Sequence, residues 1–290
     1  MTRQLSQPSF VNGFARSPGE SVRPDLWPNH AWMPTFGVQG PQLIGGLMVF
    51  DVAGGQYGLG TPAAASDTVD ALLPSWSVDK YGYCLISNES GGHGGGIKCG
   101  ASPFTGLTAM TFEVLYKPST AENSGMIAED GTVFYQNTFY LHQNTNKFDF
   151  LTRTTDATNS LVSSAATVVA GKWYHIFCTW SGVDGFNRIW VNNVEAVSAE
   201  PDESLTLRAT VNAELCLFGR PDTSSRIASY EVLNGAKIAF WRAYKRQLQA
   251  SEIYALTADP FLSFRRKRSF AAMGGAAASG VVIFRRRRSG

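Results

Sequence analysis

Paired carboxylates are the first chemistry to look for. Glu and Asp two residues apart on one strand share a face and can act as acid and nucleophile on a glycosidic bond. The nearest run here is Glu200-Pro201-Asp202-Glu203-Ser204. It lacks the last carboxylate of an E-x-D-x-E run, with Ser204 in that place, and Pro201 cannot sit in a central strand, so a solvated loop is expected. The histidines His30, His93, His142 and His175 never fall at a short metal-ligand spacing. His175 lies among aromatics and is expected to be a satisfied core residue, whereas His93 sits in a glycine run and is merely accessible. GxSxG, HExxH and Walker sequences do not occur, which leaves hydrolase and nucleotide chemistry without a motif. We expect no catalytic residue and no cofactor, and therefore not an enzyme.

Two binding chemistries remain open. Calcium takes hard oxygen ligands from loops, and Asp130, Asp184, Asn187 and Asn192 are candidates by expected loop position. Saccharides stack on aromatic faces, and Tyr135, Tyr140 and Trp190 are the candidate faces, although most such aromatics belong to cores. Cys84, Cys99, Cys178 and Cys216 contain no CxxC pair, so zinc is excluded by spacing. Four free thiols are expected, with a Cys84–Cys99 bridge across the glycine run as the alternative.

Charge is distributed unevenly. After Asp259 there are no acids but eight bases: Arg265, Arg266, Lys267, Arg268, Arg285, Arg286, Arg287 and Arg288. Setting them aside leaves 17 of the 25 bases against 23 acids, a balance of −6. An acidic body with a basic tail suits docking to another molecule. Between the two arginine runs lies Phe270–Phe284, apolar and rich in small residues. It is too short and too glycine-rich to span a bilayer. Its end, Val281, Val282, Ile283 and Phe284, is a compact β-prone run that can add to a neighbour's sheet edge, with the arginines pairing to that neighbour's carboxylates. Subunits of an assembly, including further copies of this chain, are therefore the expected partners, with nucleic acid disfavoured. The opening MTRQLSQPSF has no apolar core of a signal peptide, so synthesis in the cytoplasm is expected.

The elements that position these residues read as three regions. Residues 1–83 hold eight of the 13 prolines, with Trp27, Trp32 and Trp76 among them. This predicts an extended arm packed on a body, with a short strand near 42–51. Residues 84–258 follow the period-two pattern of strands. Strands are predicted at 111–117, 173–180, 188–191, 215–218 and 237–244, and a hairpin at 139–142 and 147–153. The 173–180 strand is apolar on both faces and should be central. One short helix is predicted at 250–256. Residues 259–290 form the basic docking tail. The expected fold is an all-β, two-sheet antiparallel jelly roll.

Several fragments carry a family resemblance in order: Thr111-Phe112-Glu113-Val114, Gly171-Lys172-Trp173-Tyr174-His175, Arg188-Ile189-Trp190-Val191-Asn192-Asn193, Leu217-Phe218-Gly219-Arg220, Lys237–Trp241 and Leu248–Ile253. Together they resemble the laminin-G-like, or concanavalin-A-like, jelly-roll superfamily. Asn193 stands where that family usually has glycine, and asparagine also tolerates positive φ. The flanking Asp25-Leu26-Trp27, Pro34–Gly37, Leu47–Ala53 and Asp259–Arg265 resemble laminin-G-like proteins of tailed bacteriophages. The resemblance implies a virion structural protein, a capsid decoration, head fibre or tail part that is anchored by its flanks and contacts a host-surface glycan. The alternative it implies is a carbohydrate-binding lectin module.

Overall fold

The computed structural model describes residues 14–15, 17–32, 48–50, 57–61, 74–90, 93–94, 96–121, 125–131, 137–155, 159–199, 206–210, 213–221, 227–228 and 233–267. The first strands are β1 (His30–Trp32), β2 (Met48–Phe50), β3 (Tyr57–Thr61), β4 (Ser75–Asp79), β5 (Gly82–Ile86), β6 (Glu89–Ser90) and β7 (His93–Gly94). Then come β8 (Gly96–Ala101), β9 (Ala109–Lys117), β10 (Gly125–Gly131), β11 (Asn137–Asn144), β12 (Lys147–Arg153), β13 (Asn159–Ser163) and β14 (Tyr174–Ser181). The last are β15 (Arg188–Val191), β16 (Val194–Val197), β17 (Glu214–Leu217), β18 (Arg220–Pro221), β19 (Ile227–Ala228) and β20 (Lys237–Tyr244), followed by helix α1 (Ala250–Ala258).

Two eight-stranded antiparallel sheets form the sandwich. The first runs β16-β15-β14-β9-β20-β5-β4, with β1 also paired to β20; the second runs β13-β12-β11-β10-β17-β8-β3-β2. The all-β jelly roll expected from the pattern is therefore the fold. β14 is buried along its whole length between β9 and β15, as a strand apolar on both faces requires. The 139–142 and 147–153 segments pair as a hairpin, turning at Thr145 with φ 50°. The turn between β15 and β16 places Asn192 at φ 49° and Asn193 at φ 71°. Two successive left-handed residues match the right-handed twist of a hairpin, and asparagine adopts them at little cost.

Period-two patterning sorts the inner faces. Met110, Phe112, Val114 and Tyr116 of β9 and Tyr174, Ile176, Cys178 and Trp180 of β14 face Phe139, Leu141, Phe148 and Phe150 of the second sheet. Phe112 and Phe139 pack at 5.3 Å between centroids, with Phe104 edge-on to both. β20 breaks the rule. A register shift between Ile238 and Phe240 lets Ile238, Trp241 and Ala243 face the core while Phe240, Arg242 and Tyr244 belong to the outer face. Such a bulge moves every later side chain to the opposite face.

One expectation needs correcting, and the cysteines are as expected. β10, Gly125–Gly131, is buried throughout, so Asp130 lies on a strand and not in a loop. Its sequence, GMIAEDG, is too short of β-branched residues to announce a strand. All four cysteines are buried free thiols. Cys84 joins the outer face of the first sheet and Cys99 the core between the sheets, so the alternative bridge is not formed.

Candidate ligand-contact and docking surfaces

The outer face of the first sheet is closed by the chain's own flanks. Leu26, with Leu248, Ile253 and Leu256, packs on Phe177, Trp190 and Tyr244. Beside them Trp27, Ala31, Phe261 and Phe264 cover Leu115 and Phe240, with Trp27 and Phe264 at 4.8 Å. The entering and leaving segments are also tied to each other. Ala15 N donates to Phe264 O, Val22 N to Arg265 O, and Lys267 N to Glu20 O, at 2.7–2.9 Å. Ser21 Oγ donates to Ser263 O at 2.6 Å.

Under this cover lies a charge cluster that alternation alone would leave in solvent. Glu113 of β9 sits opposite Arg242 of β20 and Phe177 of β14. Its carboxylate accepts from Arg242 Nη1 at 2.9 and 3.2 Å and from the Tyr244 hydroxyl at 3.0 Å. His175 Nε2 is 2.7 Å from it. All four side chains are buried. Burial by itself would raise the Glu113 carboxyl, but Arg242, His175 and Tyr244 together hold it below its ordinary value. Burial pushes His175 down, outweighing the pull of Glu113, so its ring is neutral at pH 7. Arg242 Nη2 also donates to the Pro260 carbonyl, and its guanidinium lies over the rings of Phe240 (4.4 Å) and Phe264 (5.4 Å). Sequence reasoning expected a satisfied core histidine at 175; His175 is buried, but under the flanks on the outer face, with Nε2 on Glu113 and Nδ1 without a hydrogen-bond partner, and Glu113 and Arg242 were missed. The arrangement is a clamp that holds the leaving segment on the sheet, with no access for a substrate.

The outer face of the second sheet is less covered. Tyr140 and His142 are half-buried there, edge-on at 6.3 Å. Across the ladder, His142 faces Asp149 and Tyr140 faces Leu151. Asn144 Nδ2 donates to Asp149 Oδ2 at 2.9 Å, and Leu161 on the edge strand β13 is 48% exposed. Toward the middle of the sheet Glu129 and Cys216 are fully covered. An aromatic pair beside fixed amide and carboxylate groups, with an apolar rim, is suited to a polar ring-shaped ligand.

The sequence-derived candidates distribute unevenly over these surfaces. Tyr140 lies half-buried on the outer face of the second sheet. Trp190 is 5% exposed and edge-on to Tyr254 of α1, so it presents no face to a saccharide. Tyr135 lies outside the described residues. The calcium candidates do not share a site. Asp130 accepts from Ser102 Oγ and from the Thr138 and Phe139 amides, and burial pushes its carboxyl up to about 6. Asp184 pairs with Arg188 at 2.6 Å. Asn187 is buried, bonded to Thr152 Oγ1 and the Ser160 carbonyl. Asn192 Oδ1 accepts from the His175 amide. Among the described residues no group of three or more His, Cys, Asp or Glu side chains could hold a metal ion.

The docking residues divide likewise. Arg265 pairs with Asp259, Arg266 approaches Glu20 at 3.7 Å, and Lys267 Nζ donates to Gly19 O. These three fasten the chain to itself. Arg268, Val281–Phe284 and Arg285–Arg288 lie outside the described residues.

Residues 90–254 match the family model described as the concanavalin A-like lectin/glucanases superfamily, more than half of the chain. The chain belongs to that superfamily. Solved structures agree on the fold. The binding domain of Paraclostridial Mosquitocidal Protein 1 superposes with a TM-score of 0.58 at 9% identity, over 81% of this chain and 52% of that one. The Botulinum neurotoxin serotype G binding domain gives 0.54 at 12% identity, over 80% and 50%. The serotype D ligand-binding domain, solved in complex with N-acetylneuraminic acid, gives 0.52 at 10%, over 81% and 52%. The chain thus spans about half the length of these toxin domains. No curated protein matches it.

Proposed function

We propose that the chain is a non-catalytic, glycan-contacting jelly roll of a phage-like particle. In this reading it docks on neighbouring subunits through residues 268–290 and presents the outer face of its second sheet. One observation carries it: the two outer faces are covered to different extents, with Tyr140 and His142 half-buried and Leu161 exposed on the second. The first is closed by the chain's own flanks, and Lys267, the last described residue, is fastened there to Gly19 and Glu20. The described start of the basic segment, Arg265–Lys267, therefore lies with the cover of the first sheet and not beside Tyr140 and His142. The binding role draws support from the superfamily and from the structural relative solved in complex with N-acetylneuraminic acid. The particle role draws on the flank motifs and on the split between an acidic body and a basic end. Assembly in a host cytoplasm, as several copies per particle, follows from the same reading.

Two measurements test it. A glycan array with the intact chain and with Tyr140→Ala should show hits that the variant loses; silence from the intact chain ends the glycan reading. Deleting residues 268–290 should abolish incorporation into particles while leaving the clamp in place. Undiminished incorporation ends the docking reading.

A further inference from the structure

A second constellation of charged and aromatic side chains stands on the margin of the sealed sheet. Asp79, where β4 turns into β5, draws three elements together. Its carboxylate accepts from Lys117 Nζ at the end of β9 (3.0 Å), Lys237 Nζ at the start of β20 (3.2 Å), Trp173 Nε1 (3.2 Å) and the Lys80 amide (2.8 Å). Lys237 Nζ also donates to Ser77 Oγ at 3.0 Å. Burial opposes ionisation of Asp79, but these donors hold its carboxyl far below the ordinary range. Trp173 meets Tyr81 edge-on at 5.3 Å. Lys80 lies over the Tyr81 ring at 4.6 Å, and Lys117 near the Trp173 ring at 5.8 Å.

Two features make this more than a satisfied ion pair. First, one carboxylate is shared by two ammonium groups, Lys117 and Lys237, and a third, Lys80, lies over the adjacent Tyr81 ring, which leaves a local excess of positive charge on a body that is acidic overall. Each ammonium has three donors, and Asp79 and Ser77 do not use them all. Second, two of the ammonium groups, Lys80 and Lys117, stand against two half-buried aromatic rings that solvent still reaches. A carboxylate or sulfate satisfies unused ammonium donors, and the apolar face of a sugar ring covers an aromatic one.

We propose that this margin binds a negatively charged saccharide unit, its acidic group on Lys80, Lys117 and Lys237 and its ring against Tyr81 and Trp173. Asp79 is the positioning residue that orients the lysines and the indole. The site is independent of the second-sheet face around Tyr140, so it does not rest on the reading proposed above.

The test is titration calorimetry of the full chain at low salt with a heparin-derived tetrasaccharide, a galacturonate tetrasaccharide and neutral maltotetraose. At least one acidic sugar should bind and the neutral one should not. Lys80→Gln/Lys237→Gln and Tyr81→Ala should each weaken binding about tenfold, the loss of a directed charge or platform contact. Lys80→Gln alone, at an exposed position that folding does not require, should weaken it several-fold. Replacing Arg285–Arg288 by glutamine should leave it within about twofold, and Tyr140→Ala should leave it unchanged. No binding of either acidic sugar overturns the proposal. So does affinity that survives the lysine and tyrosine changes, or that disappears with the tail arginines.

Discussion

Replacing Glu113 by alanine removes the acceptor shared by Arg242, Tyr244 and His175, all of them shut from solvent. The guanidinium then remains buried without its counter-charge, which costs about 3–5 kcal/mol. The orphaned Tyr244 hydroxyl adds roughly 1 kcal/mol or more. We expect a total loss of at least about 4 kcal/mol, which at a urea m-value of about 2–3 kcal/mol/M lowers the unfolding midpoint by at least roughly 1.3–2 M. Replacing both ions by apolar side chains, Glu113→Leu with Arg242→Met, should recover much of that loss, because desolvation of the pair offsets most of its attraction. The double variant nonetheless lacks the Arg242 bond to the Pro260 carbonyl and its contact with Phe264. Amide exchange at 261–267 should therefore be faster even where global stability returns. Urea unfolding followed by tryptophan fluorescence reads the first effect, and exchange mass spectrometry the second. A Glu113→Ala cost below about 1 kcal/mol, or a double variant no more stable than the single one, would refute the clamp.

Four further outcomes follow from the same physics. The Asp130 carboxyl is raised to about 6 by burial, so the native state holds its proton more tightly than the unfolded chain. That contribution is present at low pH and is lost as pH rises from about 4 through about 6, by up to about 3 kcal/mol. Asp130→Asn should remove this loss, seen as a flatter difference between pH 4 and 7 in urea titrations; an unchanged pH profile refutes it. His175 behaves oppositely: its native pKa lies below the ordinary histidine value, so its contribution is full above about pH 6.5 and is lost as pH falls below it, which His175→Gln should suppress. At the β15–β16 turn, Asn193→Gly should be neutral or slightly stabilising while Asn193→Val costs about 1–2 kcal/mol by thermal melt, since a β-branched residue resists φ 71°. Ala substitution of Trp190 should lower stability by about 3–5 kcal/mol through its lost core packing without altering any glycan-array hit, because its ring is buried against Tyr254.

Local patterning made the scaffold legible. The strands at 188–191 and 237–244 and the hairpin across Thr145 follow from β-formers at period two and from turn residues that accept positive φ. The double-sided apolar run of β14 announced a covered central strand, and alternation placed His175 and Phe177 opposite Tyr174 and Ile176. β10 was not legible, because its glycines, acids and lone isoleucine make a strand only when two neighbours supply the ladder. Nor was Trp190's burial, which depends on a helix sixty residues further along the chain.

Sequence by itself determined the class of fold and the division into an acidic body and a basic end, because side-chain periodicity and charge are local properties of the chain. Only the tertiary structure decided which polar residues are buried. Alternation sets Glu113 on the outer face of β9, but the flanks at 14–32 and 260–267 then seal that face. One bulge in β20 turns Arg242 toward it as well. The partner of a buried charge lies more than a hundred residues away, and no pattern read over ten residues can contain it.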